Sequence, residues 1–325
     1  MLRPLRAAFP CSRLKVMERR SFLASALATG AAAPAGAAQP IPRRPYKSGV
    51  ELSIIAFGGI VVNGMEQAAA NRIVAEAWDR GVNYFDVAPS YGNGEAEEKL
   101  GPALQPYRQR AFLSCKTQKR DAAGAREELE RSLKRLRTDH VDLYQFHAVS
   151  SIQDVEQILG PGGAAETFEK ARREGKARFL GFSAHSAEAA LAMLDRFPAD
   201  SVLFPVNFVC FAQGGFGPQI IAKAKAKGAA RMALKAMAHS PWPKDLPRER
   251  RAYPKCWYKP VDDPELARQA VRFTLSQEIT AAVPPGDERL WRIAMDAAAG
   301  FQPLTAAEQT ALFARTAGVE PLFRA

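Results

Sequence analysis

The chain has 325 residues, 47% apolar and 24% charged, with a formal net charge of +11. That is the balance of a globular protein with one large core or two medium ones. The charge is uneven: residues 1–38 hold six Lys or Arg against one Glu, a net +5, and no basic stripe interleaved with aromatics follows. A nucleic-acid partner is therefore excluded, while a modestly positive field still suits an anionic cofactor.

Residues 1–38 read as an address, not as fold. Arg19-Arg20-Ser21-Phe22-Leu23 is a twin-arginine pair ahead of an Ala-rich apolar run over residues 22–33. Such a run is too short to cross a bilayer core of roughly 30 Å, so no stable membrane span is expected. Pro34 breaks it, and Ala35-Gly36-Ala37 offers a small-residue cleavage site. The segment resembles a twin-arginine (Tat) export signal with Met17 as an alternative start. That resemblance implies the Tat machinery as a partner and a periplasmic or exported protein; if the signal is not used, the protein is cytoplasmic. Cys11 lies in this segment, and Cys115, Cys210 and Cys256 follow without zinc-ligand or redox spacing. No disulfide framework and no metal site is expected.

Downstream, strand-like and helix-like segments alternate. Apolar, β-branched runs occur at 52–57, 82–87, 111–115, 141–147, 178–183, 202–209, 231–236 and 279–283. Amphipathic stretches cover 68–80, 125–136, 164–174, 187–196, 217–228 and 264–277. The coil at 235–263 is long and rich in Pro and aromatics, as functional loops often are. Eight strands alternating with helices predict a single-domain (β/α)8 TIM barrel over 39–325, with a long 238–260 loop and a C-terminal helix. A doubly wound sheet would want a Gly-x-Gly-x-x-Gly turn after its first strand, which Gly58-Gly59 does not supply.

Barrel chemistry sits at the carboxyl ends of the strands. Asp86 ends the second run, Lys116 the third and His147 the fourth, and Tyr91 lies in the Gly-rich loop after Asp86. A phenol with a reference pKa near 10 is a reluctant proton donor. A neighbouring ammonium lowers that value, and a carboxylate keeps the ammonium charged and fixed. Asp86, Lys116 and Tyr91 would then form a tuned general acid/base, with His147 orienting a carbonyl oxygen. The missing reagent is a hydride, which a nicotinamide cofactor supplies.

The block Gly81-Val82-Asn83-Tyr84-Phe85-Asp86, with Ala88, Tyr91 and Gly92 after it, resembles the aldo-keto reductases. Lys116, the segment 136–147 ending in His147, and Gly181-Phe182-Ser183 match the same family in order and spacing. The resemblance spans roughly residues 44–290. It implies a catalytic tetrad of Asp86, Tyr91, Lys116 and His147, with Tyr91 giving its proton to a carbonyl oxygen as hydride arrives. It also implies NADP (NAD as the alternative), an aldehyde, ketone or sugar substrate, and Ser183, Lys235, Gly286 and Arg289 turned toward the cofactor.

The chain departs from the family in places. Ala184 stands where the family has Asn, Leu234 where an aromatic stacks on nicotinamide, and no Gln occurs around Leu203–Asn207. After the eighth run only Arg289 and Arg292 suit a 2′-phosphate, while Asp287 reads as a helix cap. His185 and His239 read as loop residues, His185 within reach of the pocket. The alternative expectation is an exported ligand- or carbohydrate-binding protein on a catalytically altered barrel.

Overall fold

The computed structural model describes residues 39–325, so the expected export signal at 1–38 lies outside the described residues. The described chain begins with an antiparallel hairpin, β1 (Arg43–Pro45) and β2 (Glu51–Ser53), turned through Ser48 and Gly49 at positive φ. Eight parallel strands follow: β3 (Phe57–Gly58), β4 (Tyr84–Asp86), β5 (Phe112–Thr117), β6 (Val141–Val149), β7 (Ala177–Ala184), β8 (Ser201–Pro205), β9 (Ala230–Leu234) and, last, β12 (Ala281–Val283). Each pairs with its predecessor. A parallel bridge between Ile55 and Ala282, with Ala56 N–H donating to the Ala282 carbonyl at 2.9 Å, joins last to first. The expected (β/α)8 barrel is the observed one. Between β9 and β12, the pair β10 (Ala238–Ser240) and β11 (Lys259–Pro260) organises the long coil.

The helices α1 (Gln67–Asp79), α2 (Glu95–Leu104), α3 (Ala122–Leu136), α4 (Ile152–Leu159), α5 (Ala164–Arg173) and α6 (Ala187–Arg196) pack outside the first strands. Then come α7 (Phe208–Gly214), α8 (Pro218–Ala226), α9 (Pro264–Ser276), α10 (Glu288–Ala299) and α11 (Ala306–Ala314). Their starts are written in side chains. Asp121, Ser151, Ser186, Asn207, Asp263, Asp287 and Thr305 each accept a backbone N–H of the first turn. Each such cap contributes about 1 kcal/mol. No helix among the described residues is long and apolar enough to cross a membrane.

Period two along the strands sets the barrel's contents. Tyr84, Phe112, Leu143, Phe179, Leu203, Met232 and Ala281 fill its lower interior as one apolar cluster. Tyr46 of the hairpin closes this end, packing edge-on against Phe112 at 5.1 Å and Phe179 at 5.2 Å and donating to Ser201 Oγ at 3.1 Å. The next inward residues up the strands are polar: Asp86, Ser114 and Lys116, Gln145 and His147, and Ser183. A plugged amino end leaves the carboxyl end to hold the site.

Three expected segments differ. The run at 52–57 splits between the hairpin and the barrel ladder. The run at 202–209 stops at Pro205, because Asn207 accepts the Cys210 N–H at 2.8 Å and starts α7. The run at 231–236 stops at Leu234, because Lys235 takes φ 64°. The helices α2 and α4 lie in stretches read as connections, and α7 begins inside the run at 202–209.

Candidate active site

Asp86 and Lys116 form a buried ion pair, each 1% exposed. Charges removed from water need every lone pair and proton engaged. Asp86 Oδ1 accepts from Ser114 Oγ at 2.6 Å, Gln145 Nε2 at 3.3 Å and Tyr84 Oη at 3.5 Å. Lys116 Nζ donates to Asp86, to the Val87 carbonyl at 3.3 Å and to Tyr91 Oη at 3.4 Å, which uses its three protons. Burial opposes the lysine's charge, yet Asp86 and Tyr91 hold its pKa above the ordinary value.

Tyr91 opens a short turn, Tyr91–Gly94, in which Gly92, Asn93 and Gly94 all have positive φ. A side chain at Gly94 would collide with the Arg135 guanidinium at 2.1 Å. The turn holds the half-buried phenol at the cavity wall, its ring edge-on to His147 at 5.7 Å. Burial raises the Tyr91 pKa, Lys116 lowers it, and burial prevails. The ammonium acts with the expected sign, but burial, which residue order does not reveal, is the larger effect. The phenol is thus protonated at neutral pH, the state a proton donor needs.

His147 stands in a break of strand register between Phe146 and Val149. Ala148 beside it takes φ 55°, a strained value for a residue with a Cβ. A clamp holds the bulge. Arg120 Nη2 donates to the carbonyls of His147 at 2.9 Å and Ala148 at 3.2 Å, while its Nε pairs with Asp154 at 2.9 Å. Ser183 Oγ accepts the Ala148 N–H at 2.8 Å. Bulges of this kind re-aim a side chain. Burial, then the charges of Lys116, Lys235 and Arg120, press the His147 pKa well below its usual value. The ring is neutral, and its Nδ1 lies 3.4 Å from Ser90 Oγ; a Ser90 hydroxyl donating there would leave the ring proton on Nε2.

Asp86, Tyr91, Lys116 and His147 line one cavity of about 360 Å³, together with Ser183, Lys235 and Gly286. Arg289 is placed elsewhere. Its Nε and Nη2 fork onto the Asp287 carboxylate at 2.9 and 3.0 Å, and its guanidinium lies over the Tyr253 ring at 4.5 Å. Asp287 caps α10, accepting the Arg289 N–H at 3.0 Å. Arg292 pairs with Glu76 at 2.9 Å. At Gly286 a Cβ would meet Ile60 Cγ2 at 2.2 Å, so only glycine fits. The long coil supplies a wall through Arg248, Lys255, Cys256, Trp257 and Tyr258. Trp242 Nε1 braces it internally by donating to the Cys256 carbonyl at 2.9 Å, and Lys255 Nζ ties it to the Val61 carbonyl at 2.8 Å. Among the described residues the hydrogen-bond partner of the His239 ring is its neighbour Ser240, at 3.3 Å.

Sequence reasoning missed Ser114 and Gln145, although each lies two residues before a residue it named. It also missed Arg120, whose reach to the His147 carbonyl has no local signal. Among the described residues no His, Cys, Asp and Glu cluster suits a metal ion.

The aldo/keto reductase family profile matches residues 55–252. Aldo-keto reductase YhdN of Bacillus subtilis is 34% identical over 177 residues, 49% of this chain and 50% of that protein. The chain spans about half the length of the curated relatives it matches. Among solved structures, the holo form of aldo-keto reductase AKR11C1 from Bacillus halodurans superposes with TM-score 0.66 at 23% identity, covering 88% of this chain and all of that one. An aldo-keto reductase from Klebsiella pneumoniae in complex with NADPH gives TM-score 0.62 at 19% identity, covering 85% of this chain and 94% of that one. With the profile laid over more than half of a barrel whose strand ends bear these side chains, the chain belongs to the aldo/keto reductase family.

Proposed function

We propose that the protein is an NAD(P)-dependent oxidoreductase that interconverts a small carbonyl compound and its alcohol, with Tyr91 as the proton donor and acceptor. The observation that carries this reading is the unbroken series Asp86, Lys116, Tyr91 on one cavity wall with a neutral His147 beside the phenol. The cavity's donor set fits a nicotinamide dinucleotide. Lys235, Arg248 and Lys255 line it, and among the described residues none of the three pairs with a carboxylate. The Ser183 hydroxyl proton is free to donate while its oxygen accepts from Ala148. Bound there, the nicotinamide supplies the hydride.

The chain's own residues do the rest. His147 Nε2–H donates to the carbonyl oxygen and orients it. Tyr91 delivers its proton to that oxygen as negative charge develops. The Lys116 ammonium stabilises the phenolate left behind, and Asp86 keeps that ammonium charged and in place. In the reverse direction the same phenolate takes the alcohol proton.

NADP(H) is the cofactor we favour, in keeping with the NADPH of the Klebsiella neighbour. A 2′-phosphate would have to draw Arg289 from Asp287 or Arg292 from Glu76, or use Lys255 or Arg248. Calorimetric titration with NADPH and NADH tests the reading. Heat with NADPH, or more weakly with NADH, supports it; no heat with either and no copurifying nucleotide would leave a ligand-binding barrel.

A further inference from the structure

Lys235 follows the last residue of β9 and is 7% exposed. Its backbone occupies the left-handed region at φ 64°, which strains any residue with a Cβ and recurs at functional positions. Its side chain lines the cavity that holds Tyr91, Lys116 and His147. Nζ lies 3.0 Å from His185 Nε2 and 5.5 Å from the ring centres of both Trp257 and Phe323. Phe323 stacks on the His185 ring at 5.2 Å, so aromatic faces enclose the amine. Among the described residues its hydrogen-bond partner is the His185 ring, and no carboxylate pairs with it.

Of the three lysines that line the cavity, Lys116 and Lys235 are opposites. Lys116 is locked as an ammonium by Asp86. Lys235 is a desolvated amine that, among the described residues, has no carboxylate partner. Burial brings its pKa down to about 7; Cys210 on α7 opposes that shift and Lys116 on β5 adds to it. The other titratable groups near it are His185 on the segment after β7, pressed to about 2 by burial and Lys235, and the neutral His147 on β6. An amine desolvated in an apolar pocket or set next to a second cation is nucleophilic toward carbonyl carbon.

We propose that Lys235 is a carbonyl-capturing residue, an amine that forms a reversible imine with aldehydes or ketones entering the Tyr91 cavity. The nitrogen lone pair forms a C–N bond while the C=O π pair moves to oxygen, and one N–H proton passes through water to that oxygen, giving the carbinolamine. The C–O bond then breaks as the nitrogen lone pair forms the C=N bond, the hydroxyl leaves as water with the second N–H proton, and hydrolysis reverses both steps. Nothing is oxidised or reduced, so capture goes beyond the oxidoreductase reading and does not depend on a bound nucleotide.

The test uses the full chain, glyceraldehyde and sodium cyanoborohydride without nucleotide, followed by peptide mapping by mass spectrometry. The reagent's hydride converts any imine to a stable secondary amine. At pH 7 an ordinary lysine is free amine in roughly one molecule per 10³, and Lys235 in about half. Labelling of Lys235 is expected on the order of 100-fold faster than labelling of surface lysines. Lys235→Arg keeps the cation and its ring contacts and should lose this label with an unchanged circular dichroism spectrum. Tyr91→Phe should keep the label, so failure of capture and failure of carbonyl reduction are read separately. Label spread over lysines in proportion to their exposure, with Lys235 unmodified, overturns the proposal.

Discussion

Replacing Lys116 with Met would leave Asp86, only 1% exposed, without its ion partner. Of the donors on that carboxylate, the Ser114 hydroxyl at 2.6 Å, the Gln145 amide at 3.3 Å and the Tyr84 hydroxyl at 3.5 Å remain, and the charged one is lost. Breaking a buried pair from one side costs about 3–5 kcal/mol, and the remaining donors place this case near the lower end, about 3 kcal/mol. Removing both charges should recover most of that loss, since Asp86→Asn with Lys116→Met leaves polar groups that Ser114 and Gln145 still satisfy. Urea unfolding followed by circular dichroism measures each variant, and the double-mutant cycle isolates the pair. The pH dependence has a definite sign. Lys116 has a folded-state pKa raised above 10.5, so its contribution is complete below 10.5 and is lost as pH rises through the folded value. The double variant should lack that alkaline loss. A Lys116→Met penalty under about 1 kcal/mol, the range of an exposed pair, or no recovery in the double variant, refutes the reasoning.

Three further outcomes are expected. His147 and His185 are both held neutral, with folded-state pKa values below the usual 6.5, so stability is complete above 6.5 and falls as pH drops below it. Each contributes a slope of up to about 1.4 kcal/mol per pH unit, and His185→Gln should remove one such share between pH 6.5 and 5 in denaturant titrations; an unchanged slope contradicts the assignment. Arg120→Met should relax the Ala148 bulge and lower kcat roughly 10- to 100-fold by misplacing His147, with cofactor affinity by fluorescence unchanged; wild-type kcat would show that the clamp is dispensable. If residues 1–38 direct export, replacing Arg19 and Arg20 with Lys should retain the protein in the cytoplasm on cell fractionation, whereas the same distribution as wild type removes the export proposal.

The fold was legible because parallel strands buried on both faces leave short apolar runs that stand apart from the amphipathic helices. The hairpin at β1 and β2 was not, since Leu52 packs against the barrel floor and reads like the barrel strand that follows it. Nor was α7, where the Asn207 cap interrupts an apolar run. For the site, Asp86, Lys116 and His147 could be placed because each ends such a run. Gln145 and Ser114 were accessible to the same period-two logic. Trp257 lies in the aromatic-rich coil read as functional, but Arg120 and Phe323 were not legible: each meets the site through contacts distant in sequence, and nothing in their neighbours marks them. Arg289 shows the converse. Residue type suggested a phosphate partner, while the Asp287 cap two positions earlier supplied a closer carboxylate.

The most direct measurement is a single turnover with NADPH preloaded and glyceraldehyde mixed in, followed by nucleotide fluorescence, in wild type and Tyr91→Phe. Equal initial enhancement in both proteins, with decay in the variant slower by about 100-fold or more, is the predicted result. Decay at the wild-type rate without the Tyr91 hydroxyl would contradict the account.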